Sequence, residues 1–265
     1  MKMLFYKAWV ETRVRFIAGL IAVSVVCIYY MNSHAMLVYY WTQDIQNPKG
    51  YHFEWQPLAV HEYGWYLWHF LYDNYLQQVW GLFAVLFAFG GLIRERSTGT
   101  VLFSLGLPVS RRRWLLSRLS VAVLESLALS LFAVVVIVAG SWIIHQSYSH
   151  TQVLLHAMLM VGAGVFLIAL GNLCFTLFPG EYLSVILTLV VLGIPYLLLQ
   201  GFMLNEDMLG VDGALWLKSL NISHVMAGPW QMTWGAAPWL GLVVAWMLTA
   251  LLIGAAAVYG DRIDY

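Results

Sequence analysis

Residues 94–113 have the sequence RERSTGTVLFSLGLPVSRRR, and this stretch is the most informative part of the chain for predicting how it crosses a membrane. It holds five of the chain's 13 lysine and arginine residues and directly follows an apolar run long enough to cross a bilayer. Basic connections stay on the cytoplasmic side of a membrane, so the stretch predicts a cytoplasmic link between two spans. Thr98 or Thr100 can cap a short helix here, and Pro108 ends it.

The composition of the whole chain points to a membrane protein. Hydrophobic residues make up 62% of the 265 residues and charged residues only 10%, whereas soluble domains carry about 25% charged residues. Cys27 and Cys174 both lie in apolar runs, which favours buried thiols over a disulfide. The charged stretch from Lys2 to Arg15 is not typical of a signal peptide, so we expect this N-terminus to be retained.

The apolar runs predict an all-α membrane protein that forms one transmembrane domain over residues 1–265. A membrane-spanning helix needs roughly 20 mostly apolar residues. Six segments meet this requirement, the first of them being short: Phe16–Met31, Leu76–Ile93, Leu119–Ile144, Val153–Phe178, Tyr182–Met203 and Trp239–Tyr259.

The basic residues predict the orientation of these spans. Eleven of the 13 lysines and arginines lie on one side, and only Lys49 and Lys218 lie on the other. The positive-inside rule then puts both termini in the cytoplasm, which agrees with an even number of spans. We therefore expect a multi-pass protein of the bacterial inner (cytoplasmic) membrane.

Three further segments have their own patterns. Residues 1–15 mix apolar and basic side chains, which predicts a helix in the inner membrane interface, although a frayed tail is the alternative. Residues 33–75 form an outward insertion that is rich in aromatic residues, which favours one or two interfacial helices. Residues 204–237 contain tryptophan, glycine and proline and predict a partly membrane-embedded outward cap.

The cytoplasmic segment 94–118 allows two interpretations from its residues alone. A short helix with an apolar side at the membrane surface can insert into a groove of a soluble partner, and the charges of Glu95, Arg96 and Arg111 would steer that contact. The alternative is a plain loop whose arginines anchor it at the membrane.

The same residues carry a resemblance to a known family. Glu95, then Gly99-Thr100, seven residues, and Pro108-Val109-Ser110-Arg111 resemble the signature of ABC-2 type transporter permeases. The resemblance extends to the layout: an interfacial N-terminal helix, six spans, a short cytoplasmic coupling helix between spans two and three, and a membrane-embedded segment between spans five and six. The long insertion at 33–75 departs from the pattern of the family, and so does the triple arginine that begins at Arg111.

The resemblance implies the membrane subunit of an ATP-driven transporter that exports a lipid, peptide or drug-like molecule. A separate ATPase subunit would bind ATP and Mg²⁺ and dock on the coupling segment, and a second copy or paralogue would complete the permease. This chain has no G-x-x-x-x-G-K-[ST] loop and would hold no cofactor itself. The residues assigned to the ATPase contact are Glu95, Arg96, Thr98, Gly99, Thr100, Leu102, Phe103, Pro108, Ser110 and Arg111.

Other candidate features support different functions. Glu125 and Asn172 lie within spans, where a polar group is a functional candidate by default. Glu125 lies near the inner end of its span, which favours an ion pair with Arg118 or Arg96, or a place in an inner vestibule. The chain shows no catalytic constellation, and we expect neither enzymatic activity nor a nucleic-acid partner. The main alternative is a non-transporting scaffold or assembly factor, with residues 33–75 contacting an outer protein partner.

The eight histidines lie in the predicted outward segments or just inside the edges of the adjoining spans. His61 and His69, with Glu54, Glu62 and Asp73 nearby, contain the residue types of a metal site. However, His61 and His69 are eight positions apart, about two helical turns, and the motifs H-E-x-x-H and C-x-x-C are missing from the sequence. We expect these imidazoles to pack among interfacial aromatic rings and to bind no metal.

Overall fold

The structure is a computed structural model that describes residues 2–46, 61–90, 111–178, 183–184, 186–188, 190, 221–233 and 235–262. Of these residues 89% are helical, and the described part contains no strand. The elements are α1 (Lys2–Gln46), α2 (Tyr63–Tyr66), a π helix (Leu67–Leu76), α3 (Gln77–Phe89), α4 (Arg111–Ile143), α5 (His150–Leu177), α6 (Ile222–Ala227) and α7 (Trp239–Arg262).

Four helices in the described part of the chain are long and apolar enough to cross a membrane. They are Met3–Tyr40, Arg113–Ile143, His150–Leu177 and Trp239–Tyr259. This architecture indicates an integral membrane protein, as the composition predicts. The four helices overlap the first, third, fourth and sixth predicted spans. Most of the fifth, Tyr182–Met203, lies outside the described residues.

The N-terminal part differs from the prediction in one respect. Residues 2–15, the first span and the start of the predicted outward insertion form the single helix α1 of 45 residues. No separate interfacial helix ends at residue 15. The physical reason is that the sequence from 2 to 46 contains no proline and only one glycine, Gly19, so nothing in it breaks a helix.

The second predicted span, Leu76–Ile93, corresponds only in part to α3. That helix follows directly on the π helix, whose wider turns are stabilised by local side-chain bonds. Asn74 Nδ2 donates to the carbonyl of His69, five residues earlier, at 2.6 Å, and Gln77 Nε2 donates to the carbonyl of Asp73. Residues 91–110, which include most of the predicted coupling segment, lie outside the described part.

The core of the bundle lies where α3 packs between α4 and α5. Trp80 of α3 is fully buried, and its Nε1 donates to the carbonyl of Ser126 in α4 at 3.0 Å. The six-membered ring of Trp80 lies over Gly164 of α5, where a Cβ atom would overlap it. A glycine here lets the two helices approach around an indole. Helix α1 packs on α4, and α7 packs on α5.

Candidate functional site

Most residues of the predicted ATPase contact lie outside the described part of the chain. This holds for Glu95, Arg96, Thr98, Gly99, Thr100, Leu102, Phe103, Pro108 and Ser110, while Arg111 is the first residue of α4 and only its backbone is described. What the structure describes are the two ends to which the segment is attached, Gly90 after α3 and Arg111 at the start of α4.

The helices at the two attachment ends, α3 and α4, both contact a polar cluster that we call the inner junction. It consists of Glu11, Thr12, Arg15, Arg118 and Glu125. The helical spacing of α1 brings its three members to one side, because residues 11 and 15 are one turn apart and residue 12 lies beside them. The two members on α4 are seven residues apart, which is about two turns and therefore also one face.

The first contact of the inner junction joins α1 to α4 by a hydrogen bond. Thr12 Oγ1 donates to Glu125 Oε1, and both side chains are only 3% exposed. The hydroxyl also lies 3.1 Å from the carbonyl of Ala8 in its own helix. Glu125 Oε2 is buried and has no hydrogen-bond partner among the described residues. A buried carboxylate held by one hydroxyl depends on nearby positive charge, because desolvation of the charged form is costly.

Arg15 supplies that charge and also ties α1 to the last turn of α3. Its Nη1 donates to the carbonyl of Leu86 at 2.9 Å and to the carbonyl of Gly90 at 2.5 Å. Its guanidinium is attracted electrostatically by both Glu125 and Glu11. The carbonyls at a helix C-terminus carry partial negative charge, so they form a favourable site for a cation. Gly90 itself adopts φ +49°, the left-handed region that favours glycine.

Arg118 forms the third contact, a largely buried ion pair. Its Nη2 lies 3.0 Å from Glu11 Oε2, and the two side chains are 9% and 17% exposed. The guanidinium also lies over the ring of Trp114, 4.3 Å from its centroid. Lys7 approaches the other carboxylate oxygen of Glu11 at 3.8 Å, from a more exposed position. Breaking a buried pair by removing one partner costs about 3–5 kcal/mol.

The predicted partner of Glu125 was therefore wrong in one respect. Glu125 does not pair with Arg118, which pairs with Glu11 instead, and Arg96 lies outside the described residues. Two residues seven apart on one helix face are separated by about 10 Å along the axis, so one cannot neutralise the other directly. The neighbouring helix α1 provides both partners.

Asn172, the other predicted intramembrane polar residue, lies at a different depth from Glu125. Ser130 of α4 donates to the carbonyl of Ala157 in the antiparallel helix α5. Five residues back along α4, Glu125 then lies level with residue 162, ten residues from Asn172 and about 15 Å away along the axis. Asn172 is 6% exposed. The two residues do not form one site.

Two histidines of the predicted outward segments, His34 and His69, lie among aromatic rings. His69 stacks on Trp65, with centroids 4.9 Å apart and planes at 13°, and His34 contacts the ring of Tyr66 at 4.7 Å. The described residues hold no group of three or more potential metal ligands, and Glu54 lies outside them. In the outward stretch before Leu76, burial lowers the pKa of His69, which favours the uncharged imidazole.

Sequence reasoning did not identify Glu11, Thr12 and Arg15 as functional candidates. A signal was present, because Glu11 is an acid within a strongly basic stretch and Arg15 follows it by one helical turn. That spacing indicates a charged helix face, which is expected to pair with charged or polar groups of neighbouring helices. Comparison with known proteins adds no assignment: no family model, curated protein or solved structure matches the chain.

Proposed function

We propose that this chain is the membrane-spanning subunit of an ATP-driven transporter of the ABC-2 permease type. It exports a hydrophobic or amphipathic molecule and works with a separate ATPase subunit and with a second copy or a paralogue. The proposal combines the signature at Glu95, Gly99-Thr100 and Pro108–Arg111 with an integral membrane architecture. The ATPase supplies the free energy, and this chain converts a push at its cytoplasmic surface into movement of its spans.

The observation that carries the proposal is the connectivity of the inner junction. Arg15 of α1 holds the backbone at Gly90, where the chain leaves α3 for the coupling segment. Glu11 and Thr12 of the same helix hold Arg118 and Glu125, in the first half of α4, the helix that follows the segment. One helix therefore contacts both helices that are joined by the segment on which an ATPase would dock.

This connectivity gives the proposed mechanism a physical form. A force applied to residues 94–110 is transmitted to α3 and α4 through the covalent ends of the segment. Because both helices bind α1 through buried charged groups, separating either helix from α1 would leave a charge without its partner, at a cost of about 3–5 kcal/mol. The lower-energy response is a joint movement of α1, α3 and α4. Such a movement suits a rigid-body gate between closed and open arrangements.

The first experiment tests the docking of an ATPase. A photo-crosslinking amino acid at position 103 is activated in native membranes, and the captured protein is tested for labelling by an azido-ATP analogue. We expect an ATP-binding protein to be captured at 103, and much less capture from a matched position on the outward side, such as 146. Glu95→Arg should reduce the yield. Capture without any ATP-binding protein would contradict the proposal.

The second experiment separates coupling from docking. Arg118→Glu places two acids together in the inner junction, and we expect substrate flux to fall severalfold while the captured ATPase remains. The double variant Glu11→Arg with Arg118→Glu restores opposite charges and should recover much of the flux. Lys7→Glu is the control, because Lys7 contacts the same carboxylate from an exposed position. ATPase binding without ATP-dependent flux of any lipid, peptide or drug would favour the scaffold alternative.

A further inference from the structure

A cavity of about 650 Å³ opens at the surface between the end of α4 and the start of α5. This is within the usual size range of small-molecule sites. The wall that lies deeper in the bundle is formed by Ile137, Val138 and Val153, and the mouth carries the imidazoles of His145 and His150. None of the described residues that line the cavity is acidic. The predicted orientation puts this end of the bundle on the outward side of the membrane.

At the floor of the cavity, a pair of hydroxyl groups has one hydrogen without an acceptor among the described residues. Ser141 lines the cavity, and its Oγ lies 3.0 Å from the hydroxyl oxygen of Tyr63. Both side chains are 4% exposed. Two hydroxyl groups hold two hydrogens, and their mutual bond uses one of them. When Tyr63 donates to Ser141, the hydroxyl hydrogen of Ser141, which lines the cavity, has no acceptor among the described residues and can be donated to a ligand. Buried donors normally have a hydrogen-bond acceptor, so an unpaired one beside a cavity indicates that a ligand supplies the acceptor.

The backbone at the mouth of the cavity adopts an unfavourable conformation at His145. Helix α4 ends in a Schellman motif: Gln146 N donates to the carbonyl of Ser141 at 3.0 Å, and His145 N donates to that of Trp142 at 3.2 Å. His145 occupies the left-handed position of this motif, at φ +56°. Glycine is the usual residue there because it has no Cβ penalty. The imidazole of this residue lines the cavity. A strained backbone that carries a side chain at a cavity is common at ligand-binding positions.

We propose that this cavity binds a single-chain amphipath whose headgroup is a phosphate or carboxylate. The headgroup accepts hydrogen bonds from the Ser141–Tyr63 hydroxyl pair and from His145, because the polar lining offers donors and no carboxylate that would repel an anion. The alkyl chain lies against Ile137 and Val138, on the side toward the bilayer. The site does not depend on the proposed function, since binding requires neither an ATPase nor transport.

The test is a titration of the purified full chain in an uncharged maltoside detergent. Three probes are compared: dodecyl phosphate, inorganic phosphate, and dodecyltrimethylammonium, which has the same chain and the opposite charge. We expect saturable binding of dodecyl phosphate, at least tenfold weaker binding of the cationic analogue, and no measurable binding of inorganic phosphate at the same concentration. Equal binding of both amphipaths would overturn the headgroup assignment, and binding of inorganic phosphate alone would overturn the amphipath assignment.

The matched variants are His145→Gly and His61→Gly, which remove the same side chain from two positions. His145→Gly relieves the left-handed backbone, so the variant should fold at least as well as the parent, and any loss of binding is then not a loss of structure. We expect its affinity for dodecyl phosphate to fall about tenfold, as for one charge-assisted hydrogen bond. His61 is exposed and does not line the cavity, and its variant should bind as the parent does. Equal affinities of the two variants would refute the site.

Discussion

The replacement Gly164→Ala tests how closely α3 and α5 approach around Trp80. A Cβ atom at this position would overlap the six-membered ring of Trp80. The ring cannot move aside freely, because it is fully buried and its Nε1 donates to the carbonyl of Ser126 at 3.0 Å. The added methyl group must therefore displace a helix, the indole, or both.

The expected cost follows from three contributions to the free energy of unfolding. Forcing a methyl group into a filled core costs about 1–3 kcal/mol. Loss or distortion of the indole hydrogen bond costs about 0.5–1.5 kcal/mol. The higher helix propensity of alanine offsets up to about 1 kcal/mol. We expect Gly164→Ala to be less stable by about 2 kcal/mol.

The assay is unfolding by sodium dodecyl sulfate in mixed micelles, followed by far-ultraviolet circular dichroism. Two glycines provide matched controls. At Gly162, in the same helix, a Cβ would meet Leu242 Cδ2 at 3.5 Å, an ordinary contact, and at Gly254 no atom of the described residues lies within 4 Å. Both alanine variants should unfold at the midpoint of the parent or above it.

A variant of Trp80 tests the same contact from the other helix. Trp80→Phe removes the ring that a methyl group on Gly164 would overlap, so in its presence Gly164→Ala should cost less than in the parent. The coupling energy from the double-mutant cycle should be favourable by about 1 kcal/mol or more. Two results would show that the described contact between α3 and α5 does not exist. One is that Gly164→Ala unfolds at the same midpoint as Gly162→Ala, and the other is that the effects of Gly164→Ala and Trp80→Phe are additive.

Three further predictions concern the end of the bundle that is predicted to face outward, and each is checked by the same unfolding assay. Gln152→Leu removes two hydrogen bonds to the backbone of Met232 and should cost about 2 kcal/mol, with faster proteolysis near that residue. Trp68→Phe keeps an aromatic ring but leaves the carbonyl of Gly228 without its 2.9 Å donor, and should cost about 1 kcal/mol. His145→Gly should stabilise the chain by roughly 0.5–1 kcal/mol, because the relief of a left-handed residue, about 1–2 kcal/mol, exceeds the entropic cost of glycine, about 0.5–1 kcal/mol; a destabilised variant would contradict the strain at this turn.

The sequence predicted the class of the fold because composition alone decides it. So many apolar residues with so few charges can be accommodated only in a membrane, and helices satisfy their own backbone there. The predicted end of the interfacial helix at residue 15 was wrong, because a change in polarity along the sequence does not end a helix. Polarity shows the surroundings of a helix, whereas proline and glycine decide where it breaks, and α1 has neither at that point.

The candidate site was predicted only in part, for a related reason. A carboxylate in an apolar run is visible in the sequence, so Glu125 was identified. Its contact with Thr12 joins residues 113 positions apart and depends on the relative depth of two helices, which no local spacing encodes. The same is true of Arg15 and the carbonyl of Gly90. The predicted coupling residues themselves stay a prediction, because they lie outside the described part.

The length of α1 has a mechanical consequence. Its 45 residues form a rod of about 68 Å, whereas a bilayer with its headgroups is about 40–45 Å thick. A stiff helix that is longer than the bilayer must tilt or extend beyond it, and a tilting helix turns about a point within the membrane. A swing of about 10° around its midpoint moves each tip by about 6 Å in opposite directions. When one end of α1 moves to one side, its other end thus moves to the opposite side, and the helix itself does not change its conformation.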